Sequence, residues 1–314
     1  MIAVLFLIQV VLVVALAPLL TGLVRKTKAR LMRRRGPDLV QPYRDIARLL
    51  RKEPVVAHNA SILFTAVPTF IFAATWTAAA LVPTFFLNTE LGVAADFIAI
   101  VGLLGTARFA VALAGLDVGT AFGGLGASRE MMIASVAEPA LLMLIFSLAL
   151  VAHTTRLPDI ALFVQSPALG LRISLLLAFF GLAMIAVAEN GRIPVDNPAT
   201  HLELTMVHEA MVLEYSGRHL ALIELAQFTK LLAYITLIAA VFVPWGSAPA
   251  GSDALHYGLG FVLYVAKLGV GAVVLGVFEV TIAKLRVFRV PQFIGVALML
   301  GLLAALLRLV SQGL

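Results

Sequence analysis

Ala188-Glu-Asn-Gly-Arg-Ile-Pro-Val-Asp-Asn-Pro198, followed by Leu213-Glu-Tyr-Ser-Gly217, is the stretch on which the reading of this chain turns. Glu189, Arg192, Asp196, His201, Glu203, His208, Glu209 and Glu214 gather here between two long apolar runs, in a chain that is only 13% charged. Pro194 and Pro198 exclude helix until about Ala199, because each lacks a backbone donor and restricts the residue before it. From Leu202 to Tyr215 the pattern is that of an amphipathic helix. On it Glu203 and Glu214 face one way, and Glu209 lies on another side with Thr205 and His208. His208-Glu209 begins like a zinc-peptidase motif, but the position that needs the second histidine holds Val212, which excludes that chemistry.

The apolar runs on either side set the solvent. The 314 residues are 61% hydrophobic with a mean hydropathy of +1.04, more apolar surface than a soluble domain can bury. The expected fold is an all-α integral membrane protein, a single membrane domain over 1–314. Eight spans are read at roughly 2–24, 62–87, 91–114, 130–153, 170–188, 218–243, 255–283 and 291–313. Pro68 and Pro83 fall in the second span and are expected to kink it. The first span has no basic segment before it, and Pro18 directly follows Ala15-Leu16-Ala17, so it reads as an uncleaved anchor. Without a cysteine, the chain offers no disulfide, no thiolate zinc site and no all-cysteine iron–sulfur cluster. Its six histidines lie in or beside connecting segments, which argues against a bis-histidine haem. No catalytic centre of its own is expected, and any redox centre belongs to a partner.

Lysine and arginine orient the chain. Residues 25–61 hold 11 of the 23 basic residues, and with Arg129, Arg192, Arg218, Lys284, Arg286 and Arg289 the total on that side is 17. Only Arg156, Arg172 and Arg308 fall on the other, so the loops 25–61, 115–129, 189–217 and 284–290 are expected in the cytoplasm and both termini outside, in the inner (cytoplasmic) membrane. Nucleic acid is an improbable partner for a basic block that abuts a membrane span. Within it, Asp45-Ile-Ala-Arg-Leu-Leu-Arg-Lys52 reads as a short amphipathic helix, and Arg34, Arg35, Asp45 and Arg48 are candidates for docking a partner. The glycine-rich segment 115–130 lacks both a Walker lysine and a preceding strand. It reads as a tight connecting loop, with Ser128 as the cap of the next helix and Glu130 in its first turn. Asp96, Arg108, Glu138, Glu224, Lys230, Lys267 and Glu279 fall inside the spans. A charge in hydrocarbon costs at least ~2.5 kcal/mol, so each should face protein or water. Glu224, Gln227 and Lys230 form one stripe, and together these groups imply a polar track through the domain.

The residues also carry a family likeness. Glu189-x-x-Arg192-x-Pro194-x-Asp196-x-Pro198, then Glu203-Leu204 and Glu214-Tyr-Ser-Gly217, resembles the third cytoplasmic segment of the subunit 1 family of respiratory complex I. Gly36-Pro37, Gln41, Asp45 and Leu49 are similar to its first loop, and Arg129 and Glu138 to its fourth-helix segment. The segments 115–130 and 200–215 look like those of the family's hydrogenase branch, which holds the membrane subunits of formate hydrogenlyase and other energy-converting [NiFe] hydrogenases. The family usually has a glutamate where Gln227 stands, with Glu224 the nearest carboxylate here. The resemblance implies a membrane-arm subunit that anchors a peripheral redox module and couples its electron transfer to proton or sodium translocation. It implies partners as well: hydrogenase large and small subunits, an iron–sulfur subunit and antiporter-like membrane subunits. These would carry the iron–sulfur clusters and the NiFe centre. Under it Glu189, Glu203, Glu209 and Glu214 are charge carriers on the loop side, Glu138, Glu224 and Lys230 continue the path, and Arg192 and Asp196 shape the loop. The alternative is the quinone-site subunit of a complex I-like oxidoreductase.

Overall fold

The computed structural model describes residues 2–87, 95–166, 173–196, 206–286 and 289–313. Long apolar sequence becomes helix here because lipid leaves the backbone no partner but itself. In chain order the elements are α1 (Ile2–Leu31), α2 (Gln41–Leu50), α3 (Ile62–Leu81), β1 (Phe86–Leu87), α4 (Phe97–Asp117), α5 (Ala121–Ala152), α6 (Leu157–Gln165), α7 (Ile173–Glu189), α8 (His208–Val212), α9 (Gly217–Phe242), β2 (Ala248–Pro249), α10 (Ala254–Thr281) and α11 (Val290–Gly313). Seven of them, α1, α3, α4, α5, α9, α10 and α11, are long and apolar enough to cross a membrane. The eighth expected span coincides with α7, whose described part is a shorter apolar helix. The chain is a nearly all-helical, multi-pass membrane protein.

Several boundaries differ from the sequence reading, and of the helix expected from Leu202 to Tyr215 the described residues form only α8, His208–Val212. The second span ends at Leu81, because Pro83 holds Val82 in an extended conformation, and Pro83 lies beyond the helix it was expected to kink. The third span starts at Phe97. Asp96 is therefore not a charge inside it but its N-cap, accepting from the Ile98 amide at 2.8 Å and from the Thr155 hydroxyl at 2.7 Å. The fourth span starts at Ala121, so the expected loop 115–129 shrinks to a turn at residues 118–120. Thr120, not Ser128, is the cap, accepting from the Gly123 amide, and Ser128 bonds within the helix to Leu125. The glycines there serve packing. A Cβ on Gly123 would stand 2.1 Å from the Gly115 carbonyl, and one on Gly126 would meet Met211 and the Val207 carbonyl at 2.8 Å. The amphipathic helix α2 forms as expected but begins earlier, at Gln41, with Pro42 in its first turn where no donor is lost.

α9 is the hub. It contacts α1, α2, α3, α6, α7 and α10, while α5 packs against α4, α7 and α11. One apolar cluster centres on Leu144, Leu182 and Ile294 and another on Val13, Leu232 and Tyr264. At one end of the bundle Phe86 pairs with Ala248, and Gln165 bonds the Pro244 carbonyl at 2.8 Å. At the other end the basic segments meet. Ser61 bonds Asp117 at 2.7 Å, Ser216 bonds Val55 at 2.8 Å, and the Leu285 amide donates to the Pro194 carbonyl at 2.8 Å. The candidate site opens at this end.

Candidate functional site

Between α1, α3, α4, α7 and α9, under the segment 188–196 and α8, lies a cavity of about 510 Å³. Its position follows from where the helices place their ionisable residues. Arg108 sits nine residues before the end of α4, about 13 Å below it at the helical rise, and Glu189 closes α7. The Arg108 guanidinium forms an ion pair with Glu130 of α5, 3.0 Å from Nε, and makes a close contact with Glu189 through Nη2. The second oxygen of Glu189 meets Lys230 Nζ at 3.1 Å. One buried carboxylate is thus held between two cations on two different helices, and one of those cations also holds a second carboxylate. Arg108 and Glu189 are 5% and 8% exposed, so these charges are worth most to one another and cost most if left alone.

Nearer the mouth a second network ties the loop to α10. Glu279 forms an ion pair with Lys28 at 2.5 Å and accepts from Arg192 at 3.4 Å, and Asp196 accepts from Lys284 at 2.8 Å. Burial holds the Arg192 guanidinium below its ordinary pKa, and the nearby Arg25 charge adds to this, against the pull of Glu279. Across the cavity His208 makes a short contact with Gln227. Burial depresses the His208 imidazole to about 4, helped by the Lys230 charge and opposed by Asp196. The folded chain therefore prefers a neutral His208. That stability is present above about pH 6.5 and is lost as the pH falls toward 4. Moving the purified assembly from pH 7 to 5 is expected to lower its melting temperature by roughly 2–4 °C more than it does for His208→Gln, in which no imidazole can charge. Equal acid sensitivity of the two proteins would refute this.

The expected stripe of Glu224, Gln227 and Lys230 faces the cavity, as does Glu209. Glu138 does not line it. This carboxylate is exposed in mid-α5, on the flank beside Gly105, although its charge acts on Arg108. Glu214 is also exposed and outside the cavity, and Glu203 lies outside the described residues. Arg34, Arg35 and Arg48 are exposed at the mouth end, where Arg48 bonds Asp45 at 3.3 Å. Arg108 and Glu279 were expected in the polar track without an assigned role, and Glu130 and Lys28 were not expected in the site. An arginine in the apolar run of α4 was the available signal. Glu130 carried none, because it read as the first turn of a helix that in fact starts nine residues earlier.

A carboxylate track entering a membrane bundle from its basic end is the arrangement that the motifs at 188–217 suggested, and the family profile decides the matter: NADH dehydrogenase matches residues 2–310. The chain belongs to the NADH dehydrogenase family. Among its relatives are formate hydrogenlyase subunit 4 of Escherichia coli (strain K12), 34% identical over 91% of this chain and 92% of that protein, and hydrogenase-4 component C of the same organism, 33% identical over 76% of this chain and 75% of that protein. An NADH-quinone oxidoreductase subunit from Neorickettsia sennetsu is 26% identical over 91% of this chain and 88% of that protein. A chain of the membrane-bound sulfane sulfur reductase, an archaeal respiratory membrane complex, has the same fold. Its TM-score is 0.81 at 18% identity, over 96% of this chain and 99% of that one. This family member is thus similar to hydrogenase-type and quinone-type subunits alike, with higher identity to the former.

Proposed function

We propose that this chain is the membrane-arm subunit of an energy-converting, formate hydrogenlyase-like hydrogenase complex. It anchors a peripheral redox module at its basic end and couples that module's electron transfer to proton (or sodium) translocation. The single observation that carries the reading is Glu189 held between Arg108 and Lys230 at the inner end of the cavity. Arg108 also holds Glu130. A displacement of its guanidinium toward Glu130 leaves Glu189 with Lys230 alone, and the carboxylate then takes up a proton. Return of the guanidinium expels it. A charge change at the mouth, among Arg25, Arg192, His208 and Glu209, biases that displacement, and the exposed Glu138 is where the path leaves the subunit. The hydrogenase module, its iron–sulfur clusters and its NiFe centre belong to the partner subunits. The basic segments face the cytoplasm, and both termini lie outside.

The test is Glu189→Gln in the whole complex. Expected are normal assembly and electron transfer with ion movement reduced at least about tenfold, read by a pH-gradient dye and by sodium-isotope uptake in vesicles. Full coupled transport in that variant would overturn the reading. A second reading, a quinone site, is favoured by the size of the cavity and by apolar walls that include Ile71, Leu104, Phe228 and Leu231. It requires that the purified complex reduce a short-chain quinone and that Phe228→Trp slow that reduction.

A further inference from the structure

α10 turns an apolar face outward that no described element covers, with Leu259, Val262, Val270 and Val274 exposed along it. Its inner edge packs on α1, where Gly276 meets Thr27, and on α9, where Gly271 meets Ile235. Lys267 stands at the midpoint of this helix, about 20 Å from either end at the helical rise. Half of a ~30 Å hydrocarbon layer is about 15 Å, so the residue lies near mid-bilayer, too deep for its stem to carry the ammonium to the headgroups. It shares a face with Gly271, one turn on, and is half-buried along the groove between α9 and α10.

No described residue answers its charge. Lys28, Arg108, Lys230 and Lys284 each have a carboxylate partner. Lys267 has neither an ion pair nor a hydrogen bond among the described residues, and no charged group among them acts on it. The neighbouring turn of α9 offers Ile235, which meets Gly271. An ammonium at this depth requires a counter-charge or water, and lipid tails supply neither. Phosphate headgroups lie too far away to serve.

We infer that the groove at Lys267 is an interface with another membrane subunit, whose membrane-spanning helix sets an aspartate or glutamate against Lys267 at mid-bilayer depth. The inference does not use the coupling reading. The exposed Glu138 is on α5, whose neighbours are α4, α6, α7, α8 and α11, whereas Lys267 is on the helix that packs against α1 and α9. The two faces are separate.

The experiment places a photoreactive side chain at Val270 or Val274 in the complex in native membranes and identifies the cross-linked peptides. The expected product joins α10 to a membrane-spanning helix of a different subunit, within one turn of an aspartate or glutamate. Lys267→Met inserts at least as well in lipid, so it separates a lost contact from a lost fold. Retention of the cross-linked subunit through detergent washing should fall about tenfold in Lys267→Met and persist in Lys267→Arg. Lys267→Glu should abolish it, and lysine in place of the partner carboxylate should restore it. Cross-links only to lipid, to a second copy of this chain, or to a helix without a carboxylate within a turn would overturn the proposal, as would unchanged retention in Lys267→Met.

Discussion

Replacing Arg108 with methionine is expected to destabilise the subunit by about 3–5 kcal/mol, the cost of removing one partner from a buried ion pair. Arg108 holds Glu130 and Glu189 from one guanidinium, and its removal leaves Glu189 with Lys230 alone and Glu130 with no cation among its described ion pairs. Hydrophobic transfer does not compensate, because the residue is 5% exposed among packed neighbours and the shorter side chain leaves space beside two carboxylates. The measurement is the melting temperature of the purified assembly together with the amount of subunit in the membrane. Arg108→Met combined with Glu130→Gln and Glu189→Gln removes the stranded charges and is expected to recover most of the loss. A single variant that melts like the wild type would show that the two carboxylates are protonated or hydrated in the folded state, and the proposed switch at Arg108 would fall with it.

The same residue marks how far the sequence could be read. The spans were legible because lipid imposes one requirement, internal backbone pairing over a fixed length, and apolar run length reports it directly. Boundaries failed where a polar residue had two meanings. Asp96 read as a charge within a span but caps one, and the glycines at 115–126 read as a loop but let α4, α5 and α8 approach closely. The cavity was legible on α9, where Glu224, Gln227 and Lys230 recur at helical spacing. It was not legible across helices. Nothing in the chain's order states that residue 108 meets residues 130 and 189, since such pairings are fixed by which faces of α4, α5 and α7 pack together. Of the expected carboxylates, both Glu138 and Glu214 stand outside the cavity. Glu138 is exposed on the flank of α5, and the inner end of the cavity belongs to Arg108 and Glu130 instead.

Gly217→Val is expected to cost about 3 kcal/mol or more, and the reason lies in Glu214-Tyr-Ser-Gly217. Gly217 has φ +53°, a left-handed conformation that a β-branched residue adopts only under strain. A Cβ there would also stand 2.6 Å from the Glu53 carbonyl oxygen and 2.7 Å from that of Lys52, backbone atoms that cannot swing aside as a side chain would. The preceding residues hold that backbone in place. Ser216 Oγ accepts from the Val55 amide at 2.8 Å and donates to its carbonyl at 3.2 Å. Tyr215 donates to the Phe64 carbonyl at 2.9 Å, with its ring stacked on Phe64 at 3.9 Å, and burial raises its phenol pKa above the ordinary value. Tyr215-Ser-Gly217 is therefore a clasp between the start of α9 and residues 52–64, while the neighbouring Glu214 is exposed. Since α9 carries Glu224, Gln227 and Lys230, opening the clasp displaces one wall of the cavity as well as the fold. Limited proteolysis of the 53–61 segment and thermal melting should both report Gly217→Val, and Gly217→Ala to a smaller degree. Glu214→Gln, one turn away on the surface, should change stability by no more than about 0.5 kcal/mol. If Gly217→Val leaves the segment as resistant as the wild type, the contact with residues 52 and 53 does not hold the start of α9, and the position of Lys230 must be set from the α7 side through Glu189.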